Sequence, residues 1–300
     1  MGNYSKHNKK RIRVFPVTLL FFALIIALLL FDSNFRIVTT EYELSFSNLP
    51  DLFDGFRIVV LADIHDTEFG KDNERLISRV RDADPDIIAI AGDLLNAYGN
   101  NRPVGEQLKR VETLITGLTP IAPVYFVPGN HDLSKRFDAP VELYGGPVAF
   151  FELLDEHEIR TLRNGFETIE SGGEAIIVAG VNTHSDDYVE RIESELADKI
   201  YAAEGDGFVV LLRHKNDNMQ FLSEHGFDLI LSGHAHGGVI RLPFTDGLIG
   251  PERDLFPVFT NGIYSEGNTY MLVSRGIGNP TWIPRFLNNP HIAVAVLRIA

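Results

Sequence analysis

Phe56-Arg57-Ile58-Val59-Val60-Leu61-Ala62-Asp63-Ile64-His65 joins a short apolar, β-branched run to a carboxylate and an imidazole two positions apart. The run reads as a buried strand, because β-branched side chains fit a pleated surface and the stretch is shorter than a stable helix. Side chains alternate along an extended chain, so Asp63 and His65 leave the strand end on the same side. The same punctuation recurs downstream. Residues 85–91 end in Gly92-Asp93, residues 124–127 run into Gly129-Asn130-His131-Asp132, residues 208–212 lead to His214, and residues 227–231 to Gly233-His234-Ala235-His236-Gly237.

Helical spacing fills the intervals: Leu76, Ile77 and Val80 within 71–81; Leu108, Val111, Leu114 and Ile115 within 106–118; then 148–160, 188–202 and a short piece at 218–225. Further strands are expected at 175–181, 269–274 and 292–297. Strands alternating with helices predict βαβ units, hence an α/β fold whose helix-covered sheet is largely parallel, with antiparallel pairs near the end. In such sheets the C-terminal strand ends converge on the crevice that binds ligands.

Of the ten histidines, His65, His131, His214, His234 and His236 sit at these tips, together with Asp63, Asp93, Asp132 and Asn130. The chain has no cysteine, so any metal must sit on nitrogen and oxygen donors, which suit Zn, Mn or Fe. A donor set this large exceeds one tetrahedral site. It implies two divalent ions, held about 3.5 to 4 Å apart by a shared carboxylate. Glycines beside Asp93, Asn130 and His234 permit tight turns and close backbone approach.

With ADIH at 62–65, AGD at 91–93, GNHD at 129–132, His214 after a strand and GHAH at 233–236, the sequence resembles the calcineurin-like metallophosphoesterase superfamily. The resemblance covers roughly residues 55–300. It implies a two-sheet β-sandwich flanked by helices, a four-layer α/β/β/α arrangement, and a metal-dependent phosphoric ester hydrolase. Carried over residue by residue, it implies Asp63, His65, Asp93 and His236 on one metal, and Asp93, Asn130, His214 and His234 on the second, with Asp93 bridging. It further implies that His131 delivers a proton to the leaving oxygen or orients the phosphate, and that Asp132 orients His131. The ending RGIGNPTWIPRF at 275–286, with the apolar N-terminal segment, is similar to the membrane-associated bacterial branch typified by the YkuE and YaeI proteins. Arg275, at an expected strand end, is a candidate phosphate clamp beside Asn130 and His131. Asp66 and Glu68 read as a solvated loop, and Arg213 and Lys215 either tune phosphate binding or balance the acidic surface.

Residues 14–31, VFPVTLLFFALIIALLLF, carry no charge and would span about 27 Å as a helix, close to the bilayer core thickness. Lys6, Lys9, Lys10, Arg11 and Arg13 precede them without any acid, which places the N-terminus in the cytoplasm and the catalytic domain outside it. A cleavable signal peptide is disfavoured, because Phe31-Asp32-Ser33-Asn34-Phe35 makes a poor cleavage site. The expected organisation is a basic tail at 1–13, a transmembrane anchor at 14–31, a stem at 32–54 whose alternating apolar positions are able to begin a strand, and one catalytic domain at 55–300.

A net charge of −14 without a basic stripe beyond the N-terminus argues against a nucleic-acid partner. The expected function is thus a membrane-anchored binuclear phosphoesterase. It would hydrolyse a phosphodiester, phosphomonoester or pyrophosphate bond by metal-bound hydroxide, on a small-molecule, lipid-linked or cell-envelope substrate. The competing reading is a catalytically silent, membrane-tethered metal-binding interaction module. A mononuclear metalloprotease is disfavoured by the lack of a His-Glu-x-x-His helix. Nothing in the sequence specifies an oligomeric state.

Overall fold

The computed structural model describes residues 8–97, 102–137, 140, 146–182, 189–242, 246–250 and 254–300, with side chains from Pro16 onward. The chain begins with helix α1 (Asn8–Phe35). Its stretch Pro16–Phe35 is long and apolar enough to cross a membrane and lies almost wholly outside the folded core. The basic side chains at 6–13 lie outside the described residues.

The remaining chain builds two mixed sheets of six strands each among the described residues. The first contains β1 (Val38–Phe46), β2 (Arg57–Leu61), β3 (Ile87–Ala91), β4 (Val124–Val127), β5 (Arg160–Thr161) and β12 (His291–Ile299), in the order β1-β12-β2-β3-β4-β5. The second contains β6 (Gly165–Ser171), β7 (Glu174–Val181), β8 (Phe208–Arg213), β9 (Leu229–Ser232), β10 (Gly262–Glu266) and β11 (Thr269–Val273), in the order β10-β11-β9-β8-β7-β6. The strands that lead to the ligand-type residues are parallel within each sheet: β2, β3 and β4 in one, β8 and β9 in the other. Antiparallel pairs join β12 to β2, β6 to β7 and β10 to β11.

Alternation of side chains divides each sheet between two cores. Ile58, Val60 and Ala89 face Val178, Val210 and Leu231 across the sandwich. On the outer face of the first sheet, Val59, Leu61, Ile88 and Ile90 meet α2 (Glu74–Asp82), α3 (Val104–Leu118) and α4 (Val148–Glu156) through Leu76, Val111, Leu114 and Phe150. On the outer face of the second, Ile177, Leu211 and Ile230 meet α5 (Val189–Glu204) and α6 (Met219–Ser223) through Leu196 and Leu222. Both faces of the inner strands are covered, which is why they read as continuous apolar runs. The four layers expected from the family resemblance are present.

The strand that the stem's alternation allows is present, and one local reading, the solvated Asp66, is corrected. The segment 38–46, within the expected stem, is β1, paired in parallel with β12 from Val38↔His291 to Phe46↔Ile299. Its alternating Tyr42, Leu44 and Phe46 bury one face against the inter-sheet core, so it is part of the domain. Asp66, expected in water, is buried and ion-paired with Arg102 and Arg110, while Glu68 is exposed. Both cations lie more than thirty residues downstream, so the local acidic pattern carried no sign of them.

Candidate metal centre

The C-terminal ends of β2, β3 and β4 meet those of β8 and β9 at one edge of the sandwich. Asp63 and His65 follow β2, Asp93 follows β3, Asn130 and His131 follow β4, His214 follows β8, and His234 and His236 follow β9. The backbone is held there tightly. Asp63, His65, Asp93, His234 and His236 all adopt positive φ, between 48° and 66°. Aspartate and histidine tolerate the left-handed region better than most residues, but it costs energy, and such strain concentrates at functional sites. Inter-strand contacts sustain it: the Asp63 amide donates to the Gly92 carbonyl (3.0 Å) and the His65 amide to the Asp93 carbonyl (2.9 Å). Gly129 has no alternative, because a Cβ there would strike the Asp93 carboxylate.

The side chains form two nests that share one carboxylate. In the first, Nε2 of His65 and Nε2 of His236 are 3.1 Å apart, Asp63 Oδ1 is 3.6 Å from the His236 nitrogen, and Asp93 Oδ2 is 3.7 Å from the His65 nitrogen. In the second, His214 Nε2 lies 3.3 Å from the same Asp93 oxygen, 3.0 Å from Asn130 Oδ1 and 3.2 Å from His234 Nδ1. Three groups, Asp63–His65–His236, Asp63–Asp93–His214 and His65–Asp93–His131, have the spacing of ligands that converge on one cation, and Asp93 belongs to two of them. All seven residues expected as metal ligands are therefore gathered.

The electrostatics suit a cation. Burial disfavours the protonated imidazole, holding His65 and His236 well below the usual histidine range and His234 at about 3, so their lone pairs are available. Burial pushes Asp63 up to about 7, beside a second buried carboxylate. Asp93 stays well below the usual range despite burial, because His214 faces it, and His214 is in turn raised to about 9 against its own burial by Asp93. Closely spaced imidazole nitrogens and carboxylates without intervening donors are what a divalent metal neutralises, so these residues fit the group the family implies.

The surroundings orient the ligands. The His214 ring is fixed by its Nδ1, 2.8 Å from the Ala91 carbonyl, and the His65 ring by its Nδ1, 3.2 Å from the Leu95 carbonyl. His131 stands edge-on to His65 with ring centroids 4.4 Å apart, and its Nδ1 accepts from the Ala97 amide at 3.2 Å. Asp132, expected to orient that imidazole, is engaged elsewhere. Its oxygens accept from the backbone amides of Asp93, Leu95 and Gly129 at 2.7 to 2.9 Å, tying the β3 and β4 loops together. Arg213 is a scaffold residue: fully buried, it donates to Glu193 on α5 (2.5 Å) and to the Lys215 carbonyl.

The segment 275–291 seals the back of the site, a role that no local sequence pattern announced. Gly278 donates its amide to the Asp63 carbonyl (2.7 Å), and Asn288 Nδ2 donates to the carbonyls of His236 (2.7 Å) and Val239 (3.1 Å). Arg285 is fully buried, and donates to the carbonyls of Gly278 and Arg275. Arg275 itself is mostly buried beside Gly237, and its Nε has no hydrogen-bond partner among the described residues.

Known proteins resemble this chain over most of its length. Residues 56–238 match the calcineurin-like phosphoesterase family. The metallophosphoesterase YkuE of Bacillus subtilis (strain 168) is 30% identical over 271 residues, covering 87% of this chain and 86% of that protein. A transmembrane protein with metallophosphoesterase domain from Danio rerio is 28% identical over 66% of this chain and 44% of its own length. The crystal structure of TT1561 from Thermus thermophilus aligns over 75% of this chain and 90% of its own, at 13% identity and a TM-score of 0.47. With its two mixed sheets and its buried histidine–aspartate clusters, this chain belongs to the calcineurin-like phosphoesterase family and is a metal-dependent phosphoric ester hydrolase.

Proposed function

We propose that the chain hydrolyses a phosphodiester, phosphomonoester or pyrophosphate bond at a binuclear centre, with Asp63, His65, Asp93 and His236 holding one divalent ion and Asp93, Asn130, His214 and His234 the other. The observation that carries this reading is the place of a single oxygen, Asp93 Oδ2, within 3.3 Å of the His214 nitrogen and 3.7 Å of the His65 nitrogen. When bound, a pair of Mn, Zn or Fe ions supplies Lewis acidity at the phosphoryl oxygens and an activated water. The protein does the rest. Because Nδ1 of His131 accepts from the Ala97 amide, a neutral ring carries its proton on Nε2, and from there donates a hydrogen bond that orients a phosphoryl or leaving oxygen. Arg275, whose buried Nε has no partner among the described residues and whose stem packs beside Gly237, is the candidate for a contact to a phosphate oxygen.

In the same reading α1 is a single-pass anchor with the N-terminus in the cytoplasm and the catalytic domain outside, and the substrate is a lipid-linked or cell-envelope phosphoester. The test assays the purified full chain against a chromogenic phosphomonoester, a phosphodiester and a lipid pyrophosphate, with Mn, Zn and Fe supplied separately. Hydrolysis with at least one metal, abolished by chelation, is expected. Two bound cations with no hydrolysis of any class would assign the chain to the silent, tethered module instead.

A further inference from the structure

The end of α1 is bolted to the segment that backs the metal centre. The Asn34 side chain accepts from the Arg285 amide (3.1 Å) and donates to the Arg285 carbonyl (2.8 Å). Ser33 Oγ accepts from the Leu287 amide (2.8 Å), and Asn289 Nδ2 donates to the Asp32 carbonyl (2.7 Å). No linker separates helix from domain: α1 ends at Phe35 and β1 begins at Val38. Beyond the apolar stretch of α1 the first charged residue is Asp32, so a bilayer crossed by that stretch would meet water there. Residues 285–289 would then sit at the depth of the lipid headgroups, a layer about 5 to 7 Å thick.

The domain's exposed apolar side chains lie beside that segment. Trp282 is 90% exposed, three residues from Arg285. Leu242, Leu255, Phe256 and Val258 are exposed on a neighbouring lobe. Ile240 bridges to Phe286, the Leu248 amide donates to the Ile240 carbonyl, and the Phe256 amide donates to the Leu248 carbonyl. Three such steps of about 4.8 Å put Phe256 within about 15 Å of Phe286, the neighbour of the Arg285 that bonds the helix end. Elsewhere in the described domain the exposed large apolar residues, Leu52, Tyr201 and Ile299, belong to other parts of the chain. Exposed apolar side chains clustered on one side of a protein mark an interaction surface, and the backbone tie of this lobe to Phe286, next to the exit of the helix, selects the occupant. Tryptophan favours the headgroup boundary, where its ring is dehydrated and its N–H stays wet.

We infer that Trp282 together with Leu255, Phe256 and Val258 forms an interfacial foot that enters the headgroup layer of the bilayer holding α1, so that the metal centre takes phosphoesters of membrane lipids. This rests on the anchored reading of α1 given above. Trp282 lies within the segment that backs the site, which bonds Asp63 through Gly278, His236 through Asn288 and Asn34 through Arg285.

Trp282 is the only tryptophan in the chain, so its fluorescence reports on the foot alone. The full chain is reconstituted in phosphatidylcholine–phosphatidylglycerol vesicles, with or without lipids brominated high on the acyl chain, and titrated with iodide. The expected result is at least twofold quenching by the brominated lipids and several-fold protection from iodide. The paired substitution Leu255→Asp with Phe256→Asp should reverse both, while hydrolysis of a soluble chromogenic phosphodiester is retained. Iodide quenching equal to that of free tryptophan, with no effect of bromine, would overturn the inference and hand the patch to another partner. Removal of the wild-type chain from the vesicles by a carbonate wash would overturn both the foot and the anchor. Quenching by bromine in a chain that hydrolyses nothing would sink the phosphoesterase proposal and leave the foot standing.

Discussion

Asp93 does three things with one side chain and its backbone. Oδ2 lies between the two nests, Oδ1 accepts from the His131 amide at 2.8 Å, and the main chain is held in the left-handed region by the Asp132 carboxylate on its amide. The roles of its neighbours separate by what they touch. His131 faces the ligands while Asp93 alone supplies the shared oxygen, so His131→Ala should lower kcat by about 10² to 10³-fold while bound metal is retained. Steady-state kinetics beside metal analysis checks this, and an unchanged kcat would remove His131 from contact with the reacting phosphoryl group. Asp132 satisfies three buried amides, so Asp132→Ala should cost about 3 kcal/mol or more, read from the denaturation midpoint. If activity vanished with stability untouched, Asp132 would have a chemical role that these hydrogen bonds do not reveal.

The inner strands were legible because both their faces are buried. Residues 58–61 and 87–91 are apolar throughout and end at a glycine or a ligand, a pattern that needs no long-range information. The edge strands were not. β6 reads Gly-Phe-Glu-Thr-Ile-Glu-Ser and is only half-buried, so its pairing with β7 rests on tertiary context. β1 is legible as a strand from its alternating apolar positions within the expected stem, but its partner β12 lies at the far end of the chain. The site divides likewise: tip residues declare themselves by chemical type, whereas Asn288 and Arg285 act through backbone carbonyls more than 40 residues away or through a loop of no fixed pattern. α5 reaches β8 through an ion pair that composition does not announce, Glu193 to Arg213. Burial raises the Glu193 carboxyl above its ordinary value despite the guanidinium. A carboxyl raised on folding favours the native state below its unfolded pKa of about 4.3 and loses that contribution as pH rises through the higher folded value. Glu193→Gln should therefore flatten the stability–pH curve above that point. It should also cost about 3 kcal/mol, because among the described residues Arg213 is left buried with Asp217 alone as its carboxylate partner. Thermal melts across pH test it, and an unchanged slope would mean that Glu193 does not titrate with folding.

Two sheets that run their parallel strands toward one edge bring seven side chains, spread from Asp63 to His236, into two adjacent nests. The helical layers and the inter-sheet core hold that edge rigid, and the segment 275–291 closes its back. Metal dependence thus follows from the whole fold rather than from any single motif. The decisive measurement is the number of divalent ions bound per chain, by elemental analysis, for the wild type and for Asp93→Asn. The account predicts two ions for the wild type, and for the variant a reduced content with turnover of a chromogenic phosphodiester abolished. A single ion in a fully active wild type, or two ions and unchanged turnover in Asp93→Asn, would contradict it.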